Sequence, residues 1–438
     1  MPDLDRCRGA ILGLAVGDAL GAPVEGLKGG HIVQLYGGVD DYFDPTVAWA
    51  DRPHRFRLRG LYTDDTQQAL ALADSLVHCR GLNADHFRDL LLDLARAATG
   101  QPQGAHRGAG GSIAALIRSA DEGVDFTRVA PSSASTGAMM RAAPCGLYFD
   151  DDDAIIRAAL GQALVTHRDP RSVVMAALAA LAVARMASGA WDKTPAADRL
   201  RELSDAAPGI EHILESEFIH LIPVPLLGRL GLAASGMRLL PRLPELPEPR
   251  MVWNQIIAEA NRQFPEHKIT EAGQGFVMAS GLAALYIGLT APDYEDAVKT
   301  AVLLGKDTDT TAAIAGAIVS ARWGEDGIPE KWRRGLRNSK QVGLRGDALC
   351  WRESEGLGLK DLVKMETEAT LLEVREREAF VLAMTPKNEG APGGRPLKKK
   401  PVPPTAPRPA EKQPEDPPTP TQQERRGKWQ KSERKKAP

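Results

Sequence analysis

Two short acidic runs, Thr63-Asp64-Asp65-Thr66 and Asp307-Thr308-Asp309-Thr310, repeat nearly the same word far apart in the chain. Each leads at once into an alanine-rich amphipathic stretch, so each reads as the first turn of a helix. Thr and Asp are preferred N-caps, and the helix dipole favours acidic residues in a first turn. Capping therefore explains either word alone, but not the pair. A cap uses one side chain, whereas Asp64-Asp65 and Asp307/Asp309 supply more carboxylate than capping needs. Two such helix starts facing one another would place four carboxylates and several hydroxyls in one small volume. Mutual repulsion makes that arrangement unstable unless cations neutralise it. Hard oxygen donors suit Mg²⁺, Mn²⁺ or Ca²⁺ rather than zinc. The expectation is a metal site, and with it a metal-dependent hydrolase.

The rest of the body reads as a succession of helices. Leu4, Cys7, Ile11, Leu14 and Ala15 recur at helical spacing before Gly17-Asp18, and Ala69, Leu70, Ala73, Leu76 and Val77 form one apolar face after Thr66. Residues 86–98, 155–164, 173–186, 252–260, 276–289 and 294–304 continue the pattern, and alternating strand runs are scarce. Aromatic residues are only 5% of the chain, which favours closely packed helices over a β-sandwich. The predicted fold class is all-α, a compact multi-helix domain. Glycine and proline mark breaks at 21–23, 100–111, 131–144 and 221–249, the last proline-rich enough to predict a surface excursion. Residues 362–384 read as a charged amphipathic helix with Leu371, Leu372, Val374, Val381 and Leu382 as its apolar side, docked on the core or on a partner. Thirteen of 32 prolines lie from Pro386 onward, so residues 386–438 read as a disordered Pro/Lys-rich tail.

That tail carries 14 Lys/Arg against 6 Asp/Glu in a chain of net charge −2, so the body is acidic. An acidic body is a poor nucleic-acid surface; only a weak contact by the basic tail is compatible with this charge pattern. Cys7, Cys79, Cys145 and Cys350 show no CxxC spacing and read as reduced thiols of a cytoplasmic protein. The acidic N-terminus does not look like a signal peptide. The most apolar segment, 173–187, is short and carries Arg185, so no membrane span is expected.

Four further elements accompany the acidic words. Gly17-Asp18-Ala19-Leu20-Gly21-Ala22-Pro23-Val24-Glu25 reads either as a plain helix end and glycine-proline turn or as a turn from which Glu25 reaches a shared site, and spacing alone does not decide between them. Arg107-Gly108-Ala109-Gly110-Gly111-Ser112 precedes an apolar helical run, where small residues let backbone N–H groups approach a phosphate. Ser135-Thr136-Gly137-Ala138-Met139-Met140-Arg141 and Thr166-His167 follow. Singly, these also read as a flexible connection, packing methionines and a structural histidine. Neither a Walker A pattern nor a Rossmann fingerprint occurs.

Taken in order, these words resemble the ADP-ribosylglycohydrolase family, relatives of dinitrogenase-reductase-activating glycohydrolase and ADP-ribosylhydrolases. Gly305-Lys306 before the second word, and Ala312 to Ala317, Gly327-Ile328-Pro329 and Trp332 after it, extend the match over about residues 5 to 340. The resemblance implies a catalytic domain over 1–345, followed by a helical extension over 346–385 and the tail over 386–438. It implies two Mg²⁺ or Mn²⁺ ions held by Thr63, Asp64, Asp65, Asp307, Asp309 and Thr310. Asp307, Glu25 and Asp65 would be the catalytic carboxylates, Asp307 or Glu25 orienting or deprotonating the attacking water. Gly108, Gly110, Gly111, Ser112, Ser135, Thr136, Gly137, Met140 and His167 would bind the substrate's diphosphate and ribose. The implied substrate is an ADP-ribosylated protein or a small ADP-ribose derivative, cleaved at the distal ribose anomeric carbon. A non-catalytic ADP-ribose-binding, immunity or structural module on the same fold is the alternative. Two departures stand out: Thr136 where family members commonly carry Asn, and a glycine loop without the aspartate of arginine-specific members. Lys306 also replaces a usually small residue.

Overall fold

In the computed structural model, which describes residues 3–124 and 133–384, the N-terminal helix α1 (Leu4–Gly21) lies at the centre. Asp3 caps it, accepting from the N–H groups of Asp5 and Arg6, and every residue from Gly9 to Gly21 is buried. A helix apolar on all sides belongs inside a core. The other helices that frame the site are α2 (Asp64–Cys79), α3 (Gly111–Asp121), α4 (Pro170–Ala187), α5 (Thr308–Trp323) and α6 (Leu362–Met384). Among the described residues there is no β-strand, only an isolated antiparallel bridge between Lys28 and Gly305. The all-α expectation agrees with the structure.

Glycines 9, 13, 17 and 21 recur every four residues, so they form one ridge along α1. Helix α5 runs antiparallel along that ridge in backbone-to-backbone contact. A Cβ on Gly13 would lie 2.7 Å from the Gly316 carbonyl oxygen, on Gly17 2.3 Å from that of Ala312, and on Gly21 2.4 Å from that of Thr308. The sequence reading ended the helix near Gly17-Asp18. Instead α1 continues to Gly21 and passes through the 3₁₀ turn Ala22–Val24 to Glu25. Interior glycines cost helix propensity of about 1 kcal/mol each. Here the close approach they permit to α5 outweighs that cost.

Helix α4 packs against the same core. Leu4–Val24 and Pro170–Ala187 are both long and apolar enough to cross a membrane, yet each is 94% buried within the fold. All four cysteines are free thiols. The proline-rich stretch at 221–249 is not a loose excursion. It folds into short turns (Val224–Arg229, Leu232–Met237, Leu240–Glu245) and buries Leu226, Met237, Leu240 and Leu243. Proline blocks a long helix there, while the apolar residues between the prolines still reach the core.

The boundary expected at 345/346 falls inside the helix Ser339–Trp351, which is joined to α1 by Arg8 donating to Asp347 at 2.6 Å. All the described residues belong to one compact unit. The expected tail over 386–438 lies outside the described residues. Helix α6 follows its apolar pattern only in part: Leu372 and Val374 are half-buried. Leu371, Val381 and Leu382 are exposed, while Glu366, Thr370 and Glu373 are buried. The inward face combines these hydrogen-bonding groups with apolar contacts: Leu362 and Met365 are buried, and Leu372 and Phe380 pack against Phe56, Leu58 and Leu61.

The glycine ridge gives a direct test. Gly17→Ala puts a methyl group against a backbone oxygen that has no rotamer to yield, and should cost about 2–3 kcal/mol or more. Denaturant unfolding with an unchanged slope and a lowered midpoint would register this; a midpoint equal to wild type would contradict the packing.

Candidate active site

Asp18 of α1 fixes the first acidic word. Its carboxylate is fully buried and accepts from Thr63 N–H (2.9 Å), Thr66 N–H (3.0 Å) and the Thr66 hydroxyl (2.6 Å). The Thr63 hydroxyl accepts from Asp65 N–H at 3.3 Å, and Asp64 N–H donates to the Arg107 carbonyl at 2.8 Å. The first-turn N–H groups of α2 are thus satisfied without Asp64 or Asp65. The second word is held from behind in the same way. Thr308 donates its hydroxyl to the Gly21 carbonyl at 2.8 Å, and Asp307 N–H donates to Gly273 O at 2.8 Å. Asp307 occupies the N-cap position of α5, but its carboxylate makes no capping bond.

Glu25 reaches the same place through a stitched turn. Gly26 N–H donates to Lys306 O, and Lys306 N–H donates to Leu27 O, both at 2.6 Å. Lys306 itself has φ +68°, an uncommon backbone state for a lysine.

A cleft of about 480 Å³ opens over the two words. Of the residues singled out in the sequence, Glu25, Asp64, Asp65, Asp307, Asp309, Thr310, Gly108, Gly110, Gly111, Ser112, Ser135, Thr136, Gly137, Met140 and His167 all line it. Thr63 is not among the lining residues; it is 1% exposed, behind Asp64 and Asp65. Met140 is a cleft wall, whereas Met139 is buried beneath it.

Four carboxylates in so dry a place repel one another. Burial, then the charges of Asp18 and Glu25, push Asp64 up to about 7. Burial and Glu25 push Asp307 up to about 6. Asp65 is raised well above the usual carboxylate range by burial, then by Asp18, Asp309, Asp64 and Asp307. Asp309 is raised similarly, by burial and then by Glu25, Asp307 and Asp18. Asp65 Oδ2 and Asp309 Oδ1 are also buried with no hydrogen-bond partner. Buried polar atoms are nearly always paired, so two orphaned carboxylate oxygens facing one cleft fit a cation ligand set. Among the described residues no three or more His, Cys, Asp or Glu side chains are grouped so that they could hold a metal ion as they stand. Asp64 instead accepts from Gln68 Nε2 at 2.6 Å, and Asp307 from the Thr136 hydroxyl at 2.9 Å.

A second buried network runs from the first word to the serine loop. Gln68, bonded to Asp64, accepts from Arg141, whose guanidinium also donates to Gln162 and, at 2.7 Å, to the Thr166 hydroxyl. That hydroxyl lies 2.8 Å from His167 Nδ1, and His167 Nε2 lies 2.9 Å from the Ser135 hydroxyl. With Arg141 donating to Thr166, the threonine proton is left for Nδ1. We assign the ring as the Nε2–H tautomer, which donates toward Ser135. Burial first, then Arg141, lower His167 to about 3, so the ring is neutral across the physiological range. In that state it is a hydrogen-bond partner of the Thr166 and Ser135 hydroxyls.

Sequence reasoning did not assign Asp18, Gln68 or Gly275 to the site. Gly275 lines the cleft next to Asp307, just before the π-helical turn Val277–Gly281. The readable signals were the four-residue glycine spacing around Asp18 and the Gly273-Gln274-Gly275 run.

The electrostatics set a pH dependence. Asp64 and Asp307 hold protons in the folded state to higher pH than their ordinary value of 3.8. The folded state therefore binds more protons than the unfolded one, and stability falls as pH rises from about 4 through 7. In chelator the melting temperature should drop by several degrees between pH 5 and pH 8, and Mg²⁺ or Mn²⁺ should abolish that drop. Equal pH slopes with and without cation would contradict the reading.

Comparison with known proteins agrees with this geometry. The family model for ADP-ribosylglycohydrolase matches residues 1–365. An uncharacterized protein of Archaeoglobus fulgidus is 28% identical over 335 residues, 76% of this chain and 92% of the relative. The ADP-ribosylarginine hydrolase Tri1 of Serratia proteamaculans is 24% identical over 366 residues, 80% of this chain and 81% of the relative. A solved structure described as an ADP-ribosylglycohydrolase-related protein complex is similar with a TM-score of 0.51 and 27% identity, covering 80% of this chain and 98% of that one. Because the matched residues include both acidic words, both loops and His167, the chain belongs to the ADP-ribosylglycohydrolase family.

Proposed function

We propose that this chain is a divalent-cation-dependent hydrolase that releases ADP-ribose from a modified protein or other ADP-ribosylated substrate. The observation that carries the reading is the pair of orphaned, buried carboxylate oxygens of Asp65 and Asp309 within one cleft. Asp64, Asp65, Asp307, Asp309 and Thr310 would hold two Mg²⁺ or Mn²⁺ ions, with Thr63 behind them. When held, such cations neutralise the carboxylates and polarise the oxygens of a bound ribose and water.

The chain's own groups supply the remainder. Glycosidic cleavage passes through an oxocarbenium-like state, whose positive charge an acidic cleft favours. Asp307 is pre-oriented by the Thr136 hydroxyl, and Glu25 lines the same cleft from the turn stitched to Lys306. Either carboxylate would orient or deprotonate an attacking water. The N-terminus of α3 and the backbone of the Gly108–Gly111 loop face the cleft, and a helix N-terminus suits a diphosphate. Exposed Arg118 lines the cleft from the same helix and, with buried Arg141, adds positive charge to the acidic site. Ser135 and Ser112, within reach of His167 Nε2, are hydroxyls for the adjacent ribose.

A release assay tests the reading. Arginine-linked, serine-linked and free ADP-ribose derivatives would be incubated with the protein, with and without Mg²⁺ or Mn²⁺. Cation-dependent release of ADP-ribose from at least one is the expected result. Asp307→Ala should lower turnover by about a hundredfold or more while helicity by circular dichroism is unchanged. ADP-ribose binding without release from any substrate would favour the non-catalytic module instead.

A further inference from the structure

Helix α6 buries two acids, Glu366 and Glu373, on the face it turns to the chain around the first acidic word. Glu366, the first of them, lies one residue beyond the stretch matched by the family model and is 0% exposed. It accepts from the Tyr62 hydroxyl at 2.6 Å, from Gln67 Nε2 at 2.8 Å and from Arg107 Nη2 at 2.7 Å. Tyr62 precedes the first acidic word, Gln67 follows it, and Arg107 opens the glycine loop. Arg107 closes the arrangement: its Nε donates to the Tyr62 carbonyl at 2.9 Å, and its own carbonyl accepts from Asp64 N–H.

The neighbouring positions on the same face do the same work. Thr370 accepts from Arg107 at 3.0 Å and donates its hydroxyl to Ala105 O at 2.7 Å. Glu373 accepts from Leu58 N–H at 2.8 Å, and Phe380 packs on Phe56 with ring centroids 5.6 Å apart. Residues 366, 370, 373 and 380 fall on one stripe of a helix. That stripe grips the chain from Phe56 to Gln67 and the start of the glycine loop. A buried ion pair such as Arg107–Glu366 is not a cheap source of stability, because desolvation opposes the attraction. Its value lies in geometry: it leaves one arrangement for Tyr62, Gln67 and Arg107.

We propose that Glu366 is a positioning residue for the active site, and that α6 is a working part of the cleft through it. Glu366 sets the backbone at Thr63-Asp64 and at Arg107-Gly108, so it governs both cation affinity and substrate affinity without touching either ligand. The inference rests on the cation and ADP-ribose reading of the cleft given above.

The full chain and its E366Q and T370V variants would be titrated with Mn²⁺ by electron paramagnetic resonance and with ADP-ribose by calorimetry, with circular dichroism melts in parallel. Residues behind a ligand shell typically alter metal affinity by about tenfold or more. E366Q should therefore weaken Mn²⁺ binding about tenfold and ADP-ribose binding severalfold in protein that is still folded; T370V should shift both in the same direction by less. A merely structural Glu366 would lower the melting temperature and leave both affinities of the folded protein unchanged, and that result overturns the proposal. If E366Q does not fold, T370V decides, and wild-type affinities in T370V overturn it equally. Wild-type protein that takes ADP-ribose but no Mn²⁺ would defeat the cation reading alone, with the ADP-ribose arm still deciding on Glu366. Binding of neither ligand by wild type overturns both.

Discussion

The close antiparallel contact between α1 and α5 underlies the whole arrangement. Side chains normally hold helix axes apart, and here glycines remove them. The ridge brings the start of α5 against Gly21, where the Thr308 hydroxyl donates to the last carbonyl of α1, that of Gly21. Three residues earlier, Asp18 gathers the start of α2. One buried helix therefore sets two distant helix N-termini face to face. Neither acidic word could be placed by its own helix, because a helix can rotate about its axis unless something fixes its first turn.

Bringing the words together costs electrostatic energy. Asp64, Asp65, Asp307 and Asp309 all have raised proton affinity, and burial is the leading cause in each case. The fold tolerates this because the framework around the cluster satisfies its own polar groups. Asp18 is fully bonded, Arg141 spends its donors on Gln68, Gln162 and Thr166, and His167 is held neutral. The unpaired carboxylate oxygens are those of Asp65 and Asp309, while the buried carboxylate of Asp18 is hydrogen-bonded yet still adds its charge to the cluster. A site organised in this way stores its reactivity where a ligand arrives and keeps the scaffold indifferent to it.

Much of this was legible in the sequence. Helical periodicity gave the fold class, since an apolar face repeated at 3.6 residues has few alternative explanations. The paired acidic words, the glycine loop, Ser135 to Met140 and His167 all converge on one cleft. Misreadings occurred where a residue's value depended on a distant partner. Gly17 looked like a helix end because its advantage is a contact with Ala312. The 221–249 stretch looked like surface because proline density hides the few apolar residues that anchor it. Helix α6 was read by its leucines, yet Glu366, Thr370 and Glu373 face inward, because only partners on other segments make their burial favourable.

By itself, then, the sequence determined chemistry: which donors exist, that they sit at helix starts, and that the chain packs as helices. Local composition carries that information, because capping, periodicity and charge act over a few residues. Tertiary structure alone decided which oxygens are left unpaired, that Thr63 stands behind the cleft, that Thr136 bonds Asp307, and that α6 braces the glycine loop. Those facts depend on contacts between residues up to several hundred positions apart. Hydrogen bonding and burial are properties of pairs in space, so no single stretch of sequence contains them.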